Sequence, residues 1–318
     1  MSARHSRSLT DTTSMHSEAS LNWADIPSSH LDIPLTLTSG QTFGWRRIGE
    51  NRWLGAIEAT AVLLEPGPSG FGWATWPEDR WDVIHRYFAL DIDLDKLYKQ
   101  WVTRDPTFER LIQRFRGLRI LRQNPETALC VFVCSSCNNV PRIAGMVRSL
   151  TLLAGRRIPA PWQETVYAEP NIEDACQAGE NALRQAGFGY RAKYLAQMGE
   201  AIKVHGPRYI GTLARLDWSE ARDRLNELPG VGPKVADCVG LCGMAVDDAV
   251  PVDRHVRRYV VSRLRPDLEG KPLSVGTYSA LASAFRGIMG PFAGWAQQYV
   301  FMAARYGRPS DWVLEVEP

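Results

Sequence analysis

The segment that most constrains this chain is residues 225–255, LNELPGVGPKVADCVGLCGMAVDDAVPVDRH. A Pro-Gly-Val-Gly turn at 229–232 breaks one helix, and Pro233 suits the first turn of the next, so we predict two helices joined by a tight hairpin. Its glycines expose backbone N–H groups, and the second helix adds unpaired donors and the positive end of its dipole. Such a surface binds phosphate without reading sequence.

An amine and a carboxylate follow this hairpin. Lys234 opens the second helix, and Cys238 lies one turn later on the same face. Asp253 follows the AVPV run, where it is placed to cap a further helix that begins near Arg254. We therefore expect an ionised carboxylate beside a helix N-terminus.

The distribution of charge favours a polyanionic partner. Residues 119–265 carry 20 Lys and Arg against 15 Asp and Glu, although the whole chain has a net charge of only +2. A solvated basic face explains this surplus nearly as well. No apolar run approaches the ~20 residues of a membrane helix, and the start lacks a signal-peptide core. We expect an intracellular protein with no membrane partner, in the cytoplasm or nucleoid of a prokaryote or the nucleus of a eukaryote.

We predict an α+β fold. Residues 1–20, rich in Ser, Thr and His, are expected to form a disordered tail, and 307–318 a C-terminal tail. In a first domain, 21–118, the segments IPLTLT, TFGWRRI, RWLGAIE and AVLLE alternate with turn residues as antiparallel strands do, and helical spacing over 79–118 indicates two or three helices. Residues 119–306 are predicted to be entirely helical.

Two polar clusters interrupt the helical region. The SSCNN run at 135–139 follows a buried helix, and Ser and Asn are common at helix ends; alternatively Asn138, Asn139 and Arg142 project toward an extrahelical nucleotide. In GFGYR at 187–191, Tyr190 and Arg191 suit a wedge that fills the gap left by an extruded base. Packing alone also accounts for such a pair.

A largely buried helix near the C-terminus carries Gln297 and Phe301 on one face. An amide both donates and accepts hydrogen bonds, so Gln297 can recognise a base edge while Phe301 stacks on the base. A core role is the default for both.

Cys130, Cys134 and Cys137 could be read as metal ligands, but no His or fourth Cys lies at ligand spacing, which favours buried thiols. We expect no cofactor.

Together these motifs resemble the 8-oxoguanine DNA glycosylase family of the helix-hairpin-helix glycosylases. The resemblance spans residues 22–306 and rests on SGQTFGWR, FVCSSCNNVPRIAGM, GFGYRAKY, LPGVGPKVADC, VPVDRH and GPFAGWAQ. The run LPGVGPK together with VPVD indicates the helix-hairpin-helix glycosylase superfamily. Within that superfamily, the 8-oxoguanine branch is indicated by SGQTFGWR, the SSxNN cluster and GPFAGWAQ. It implies an N-terminal antiparallel sheet with helices, then two helical subdomains that flank a lesion pocket.

The resemblance also implies an activity: a monomer that removes 8-oxoguanine from duplex DNA opposite cytosine, with associated AP lyase activity. Lys234 would be the nucleophile and Asp253 its catalytic partner. By the same resemblance, the Gly40 carbonyl would accept the lesion N7–H, Gln297 would bind the base edge, and Cys238 and Phe301 would stack on the base ring. Tyr190 would be the wedge, Arg142 and Arg191 would contact the opposite cytosine, and Asn138 and Asn139 would make other DNA contacts. Phosphate would be bound by Gly230, Val231, Gly232 and His255.

Two further expectations come from the resemblance. The hairpin of similar proteins holds an ion, which here would lie on the backbone carbonyls of Asn226, Leu228 and Val231. The family has three consecutive asparagines after the two serines, whereas this chain has Cys137 at the first position, one that contacts the opposite cytosine. Cysteine is a poor hydrogen-bonding partner, so we expect weaker selectivity for the opposite base.

Other functions stay open on the sequence alone. A related glycosylase could excise alkylated purines, although the resemblance implies that such enzymes have a pocket of stacked aromatic residues and lack the lysine. Enzymes that excise oxidised pyrimidines share the lysine and aspartate, yet many carry four cysteines after the aspartate, and no cysteine follows Cys242. A non-enzymatic DNA-binding module would need the hairpin alone.

Overall fold

A computed structural model describes residues 20–162, 164–206 and 208–306. The predicted tails at 1–20 and 307–318 lie outside these residues, apart from residue 20. The described chain has an antiparallel sheet followed by a mostly helical region, which confirms the predicted α+β class. In the described segments, no helix is long and apolar enough to cross a membrane.

The sheet has five antiparallel strands in the order β1-β5-β4-β3-β2. Side chains on one face, including Val62 and Leu64, pack against apolar residues of the first two helices, and those on the other, including Leu54 and Leu63, form a separate small core. The strands are β1 (Asn22–Ala24), β2 (Arg46–Ile48), β3 (Arg52–Ile57), β4 (Thr60–Pro66) and β5 (Phe71–Trp76).

Fourteen α-helices occur in the described residues. They are α1 (Ile33–Leu37), α2 (Trp81–Tyr87), α3 (Leu94–Arg104), α4 (Phe108–Phe115), α5 (Pro125–Cys134), α6 (Val140–Ala154), α7 (Ile172–Gln185), α8 (Arg191–His205), α9 (Tyr209–Leu213), α10 (Trp218–Asn226), α11 (Pro233–Gly243), α12 (Arg254–Arg263), α13 (Val275–Met289) and α14 (Ala293–Tyr306). The three helices α2–α4 confirm the prediction for residues 79–118.

Two local predictions were wrong. IPLTLT forms helix α1 instead of a strand, because the Asp32 carboxylate caps it by accepting the Leu35 N–H at 2.8 Å and Pro34 occupies its first turn. The region after residue 118 is not entirely helical either. Strands β6 (Arg157–Ile158) and β7 (Val166–Tyr167) form a two-stranded sheet whose buried residues pack into the small core beside β3 and β4.

An aromatic cluster fixes helix α14 against α3. Tyr299 lies with its ring centroid 5.4 Å from that of Trp101, and its hydroxyl is 2.9 Å from the Tyr98 hydroxyl. All three side chains are at most 5% exposed. Helices α3 and α4 thus share the core of the helical region although they precede residue 119 in the chain.

The first turn of α14 is tied to the segment after α11. Asp247 accepts a hydrogen bond from Trp295 Nε1 at 2.7 Å and pairs with Arg122 at 2.5 Å. The Gly294 N–H donates to the Asp247 carbonyl at 2.9 Å. These bonds set α14, which carries Gln297 and Phe301, beside α11, which carries Lys234 and Cys238.

Candidate active site and DNA-binding surface

The predicted helix-hairpin-helix is present as α10, the turn at 227–232 and α11. Gly230 has φ +79°, and a Cβ there would lie 2.7 Å from the Tyr194 ring, so no other residue fits without strain. Gly232 is the N-cap of α11 and supplies no side-chain cap, with Pro233 in the first turn. The first N–H groups of α11 therefore remain available to an anion.

The predicted ion site on this hairpin stays a prediction. The Leu228 carbonyl accepts the Val231 N–H at 3.1 Å, which leaves it one further lone pair. The buried Asn226 Oδ1 atom has no hydrogen-bond partner among the described residues.

Lys234 lies where α11 meets the end of α5. Its Nζ donates to Ser135 Oγ at 2.9 Å and lies 5.6 Å from the centroid of the Phe132 ring. The side chain is half-buried. The sequence predicted neither neighbour, although Ser135 belongs to the SSCNN run in which Cys137, Asn138 and Asn139 were singled out.

Cys238 lies on α11, one turn after Lys234, and is 6% exposed. Burial raises the pKa of this thiol; the charge of Lys234 and its hydrogen bond lower it, and the charge of Asp253 raises it. Asp253 caps α12 as predicted, accepting the N–H groups of His255 at 2.9 Å and Val256 at 2.8 Å. Lys234 thus lies in the first turn of α11 and Asp253 is the N-cap of α12, and their action in one site stays a prediction.

Phe301 links the Gly40 loop to helix α12. Gly40 has φ +89°, and a Cβ there would lie 3.8 Å from Phe301 Cε1. The Phe301 ring lies edge-on to His255, with centroids 6.4 Å apart. Burial lowers the pKa of His255, and Arg254 lowers it further while Asp253 opposes them. The structure thus brings together residues from three distant parts of the chain.

The loop that carries Gly40 is held from both sides while its own carbonyl is left unpaired. Gln298 Nε2 donates to the Ser39 carbonyl at 3.2 Å, and Arg305 Nη1 donates to the Thr38 carbonyl at 3.0 Å. No N–H group of the described residues donates to the Gly40 carbonyl. An acceptor held in place without a partner is available to a ligand donor.

Two polar side chains, the buried Gln41 and the partly buried Glu169, were unnoticed in the sequence and fix the segment that follows Gly40. Gln41 Oε1 accepts the Leu121 N–H at 2.9 Å. Glu169 Oε1 accepts the Phe43 N–H at 2.9 Å and the Gly44 N–H at 3.2 Å. Burial raises the pKa of Glu169, although these hydrogen bonds oppose the shift.

Gln297 lies on the face of α14 that runs between α11 and the Gly40 loop. Gly294, three residues before it, packs so closely on Leu241 of α11 that a Cβ would lie 2.5 Å from Leu241 Cδ1, and Phe301, four residues after it, contacts Gly40. Gln297 is 4% exposed. Its side-chain amide makes no hydrogen bond within the part of the chain that the structure describes, so it is available to a ligand.

The predicted contacts to the opposite strand come from two adjacent loops. The Tyr190 hydroxyl donates to the Ser136 carbonyl at 3.1 Å, and the Tyr190 ring is 47% exposed, as a wedge requires. Arg191 is buried and donates to the carbonyls of Ser136 and Cys137. Its guanidinium must therefore leave these carbonyls before it can read a base.

The asparagines of the SSCNN run also have structural partners. Asn139 caps α6 by accepting the Arg142 N–H at 3.0 Å, and Asn138 Nδ2 donates to the Cys134 carbonyl at 2.9 Å. The helix-end interpretation is therefore confirmed, and base contact by Asn138, Asn139 and Arg142 stays a prediction. Arg142 is exposed. Cys137 is exposed as well, with φ +48°, a conformation that asparagine adopts more readily than cysteine.

The prediction of buried thiols is confirmed for Cys130 and Cys134 but wrong for Cys137. The difference arises because Cys137 lies past the end of α5, in the exposed turn. Among the described residues, no cluster of three or more His, Cys, Asp or Glu side chains is arranged to hold a metal ion.

Similarity to known proteins runs through both halves of the chain. Residues 24–129 match the family model described as 8-oxoguanine DNA glycosylase, N-terminal domain. The chain is 33% identical over 300 residues to the N-glycosylase/DNA lyase OGG1 of Arabidopsis thaliana, an alignment that covers 91% of this chain and 82% of that protein.

Solved structures share the fold. A Clostridium acetobutylicum 8-oxoguanine glycosylase/lyase, in complex with double-stranded DNA containing cytosine opposite 8-oxoguanine, is 25% identical with a TM-score of 0.77 and coverage of 90% of this chain and 97% of that one. A 3-methyladenine DNA glycosylase from Archaeoglobus fulgidus is 18% identical with a TM-score of 0.69, over 87% and 95% of the two chains, and resembles this protein in fold alone. The chain belongs to the 8-oxoguanine DNA glycosylase family.

Proposed function

We propose that this chain excises 8-oxoguanine from duplex DNA, opposite cytosine, and then cleaves the abasic site as an AP lyase. The observation that carries the proposal is the Lys234 amine, which Ser135 holds directly after a hairpin with uncapped N–H groups. The Asp253 carboxylate caps the next helix, α12. A phosphate-binding module without chemistry needs only the hairpin. A buried base-binding face with an amine beside it suits a glycosylase.

The lesion must leave the helix to reach this site. Extrusion costs a few kcal/mol, which phosphate contacts at Gly230, Val231 and Gly232 and insertion of the exposed Tyr190 ring offset. His255, at the rim beside Phe301, is a further phosphate contact in this proposal.

Recognition of the extruded base uses groups that have no other partner. The unpaired Gly40 carbonyl accepts the N7–H that 8-oxoguanine carries and guanine lacks. The Gln297 amide bonds to the base edge, and the ring stacks between Phe301 and Cys238. An amide that pairs with the correct base edge discriminates, because the wrong base leaves it unpaired in the closed complex.

The chemistry is a displacement followed by an elimination. The neutral Lys234 amine attacks C1′ as the bond from C1′ to the base nitrogen breaks, and the departing base takes up a proton. The Asp253 carboxylate stabilises the positive charge that develops on the sugar. Ring opening gives a Schiff base between Nζ and C1′; loss of a C2′ proton then expels the 3′ phosphate.

Ser135 and Phe132 prepare the amine for this attack. The Ser135 hydroxyl, 2.9 Å from Nζ, fixes the direction of the side chain, and the Phe132 ring shields one side of it from water. We infer that neither group reacts. They hold the amine toward the sugar, which lowers the entropic cost of the attack.

The opposite strand is read less stringently than in a typical family member. Arg142 and Arg191 contact the unpaired cytosine in this proposal, but Cys137 replaces the asparagine that would add a further contact.

The hairpin ion on Asn226, Leu228 and Val231 belongs to the same proposal as a structural feature. The enzyme acts where the genome lies, in the nucleoid of a prokaryote or the nucleus of a eukaryote.

Three duplexes test the function. We would incubate the protein with matched duplexes that carry 8-oxoguanine, hypoxanthine or 3-methyladenine, and resolve direct strand cleavage from cleavage after alkali. The proposal expects cleavage of the 8-oxoguanine duplex in both lanes. Excision of 3-methyladenine alone would indicate an alkylated-purine glycosylase, and excision of hypoxanthine alone a deaminated-purine glycosylase. Binding without cleavage would indicate a DNA-binding module.

Asp253→Asn is the matched variant for the chemistry. It keeps an oxygen that can cap α12 but removes the negative charge. We expect DNA binding within about threefold of wild type and base excision reduced by a factor of about 100 or more, since electrostatic stabilisation of this kind is worth several kcal/mol. Unchanged excision would remove Asp253 from the mechanism.

A further inference from the structure

Tyr278 of α13 connects two segments that carry the proposed catalytic residues. Its hydroxyl donates to Asp237 Oδ2 at 2.6 Å and accepts the Val252 N–H at 3.1 Å. The Val250 carbonyl lies 3.2 Å from the same oxygen. Tyr278 is only 3% exposed, so water does not replace these bonds.

Asp237 is the second member of this network. It lies on α11, three residues after Lys234, and is 1% exposed. Arg222 of α10 donates to it through Nε at 2.7 Å and Nη2 at 3.4 Å. Burial raises the pKa of this carboxyl, while Arg222 and Tyr278 oppose the shift. A buried carboxylate depends on such partners, which locks α10, α11 and α13 together.

Val252 is the point at which the network reaches the site. It immediately precedes Asp253, and its backbone N–H is held by Tyr278. Both hydrogen bonds recorded for the Asp253 side chain go to backbone N–H groups of its own helix, those of His255 and Val256. The direction of the carboxylate therefore depends on the backbone at 252–253.

We propose that Tyr278 is a positioning residue for base excision: its hydroxyl joins Asp237, on the helix of Lys234, to the backbone that carries Asp253, and so sets the carboxylate relative to the amine. This inference rests on the proposed function. Tyr278 does not touch the substrate and acts through Asp253. Nothing in the sequence around it signals this role, because its partners lie 41 and 26 residues away.

Tyr278→Phe removes the hydroxyl and keeps the ring. A misplacement of about 1 Å in a catalytic group costs on the order of 100-fold in rate. We expect single-turnover excision of 8-oxoguanine to fall 10- to 100-fold, with DNA affinity within about threefold of wild type. Borohydride trapping on a preformed abasic site should change less than threefold, because no base leaves there and the Asp253 charge matters less.

Tyr299→Phe is the control for lost stability. Tyr299 is also buried, and its hydroxyl bonds to the Leu118 carbonyl at 2.8 Å and to Tyr98, away from the site. Both variants lose a buried hydroxyl and should have lower melting temperatures. Only Tyr278→Phe should lose excision rate per folded molecule, measured below the melting temperatures of both.

A double-mutant cycle decides whether Tyr278 acts through Asp253. In an Asp253→Asn background, Tyr278→Phe should slow the residual excision by less than twofold, because the carboxylate charge it positions is gone. The inference is overturned if the two effects multiply, or if Tyr278→Phe and Tyr299→Phe excise at equal rates. Absence of excision by the wild type would instead overturn the proposed function.

Discussion

Replacing Gly230 by alanine tests the hairpin most sharply, because Gly232, two residues away, provides a matched control. Gly230 has φ +79°, and an added Cβ would lie 2.7 Å from Cγ and Cδ2 of Tyr194. Gly232 has φ −108°, and an added Cβ would meet no atom within 4 Å. Both positions belong to the proposed phosphate-binding turn.

The two substitutions should differ in stability by several kcal/mol. At Gly230 the left-handed backbone costs an alanine roughly 1–2 kcal/mol. Displacing the Tyr194 ring adds about 1–3 kcal/mol, the usual cost of overpacking. Their sum is about 2–5 kcal/mol, or on the order of 3–8 °C in melting temperature, because 1 kcal/mol corresponds to about 1.5 °C for a chain of 318 residues. At Gly232 the loss is that of a poorer N-cap, at most about 1 kcal/mol.

Thermal unfolding and DNA binding together measure this difference. We expect Gly230→Ala to lower both the melting temperature and the affinity for duplex DNA. Gly232→Ala should leave the melting temperature within about 2 °C of wild type but weaken DNA binding, since the added methyl group lies in the proposed phosphate-binding turn. The account of the hairpin is refuted if Gly230→Ala melts at the wild-type temperature, or if both variants bind DNA as wild type does.

Two other substitutions have defined outcomes. The backbone at Cys137 is left-handed, which disfavours cysteine, so Cys137→Asn should raise stability by up to about 1 kcal/mol. The same substitution should increase selectivity for cytosine over A, G and T opposite the lesion about tenfold or more. Selectivity equal to that of the wild type would refute the expected weak selectivity of the wild-type protein. Burial raises the pKa of Glu169 above its unfolded value of about 4.3, so its contribution to stability is complete below that value and is lost as pH rises through the folded pKa. Glu169→Gln, which keeps the acceptor for Phe43 and Gly44, should therefore gain melting temperature relative to wild type from pH 5 to pH 8; a difference that does not change with pH contradicts this.

The sequence predicted best the features that depend on neighbouring residues. The hairpin and the Asp253 cap were both predicted, because turn residues and caps act within three or four positions. The helix-end account of the SSCNN run was predicted for the same reason. Helix α1 shows how local rules mislead when incompletely applied: the Asp32 cap and Pro34 were in the sequence, yet alternation of apolar residues suggested a strand.

Features built from distant residues could not be predicted without the fold. Ser135 reaches Lys234 across 99 residues, and Glu169 anchors Phe43 across 126. The burial of Arg191 could not be predicted either, because the two loops it joins are adjacent only after folding. Tyr278 belongs to the same class, since its role depends on where α13 packs.

Strands β6 and β7 were missed for a different reason. Each has only two residues, which is too short for alternation to be detected. Their stability comes from apolar contact with the sheet, where Ile158 and Val166 fill space beside Leu54 and Leu63. Packing of this kind outweighs local propensity.

The most direct test of the central claim is covalent capture by Lys234. With a duplex that carries 8-oxoguanine opposite cytosine, borohydride should reduce the Schiff base and leave the wild-type protein bound to DNA, with the DNA mass on the peptide that contains Lys234. Lys234→Gln should give no adduct while it still binds the duplex. Equal trapping by Lys234→Gln, or an adduct on another residue, would contradict the account.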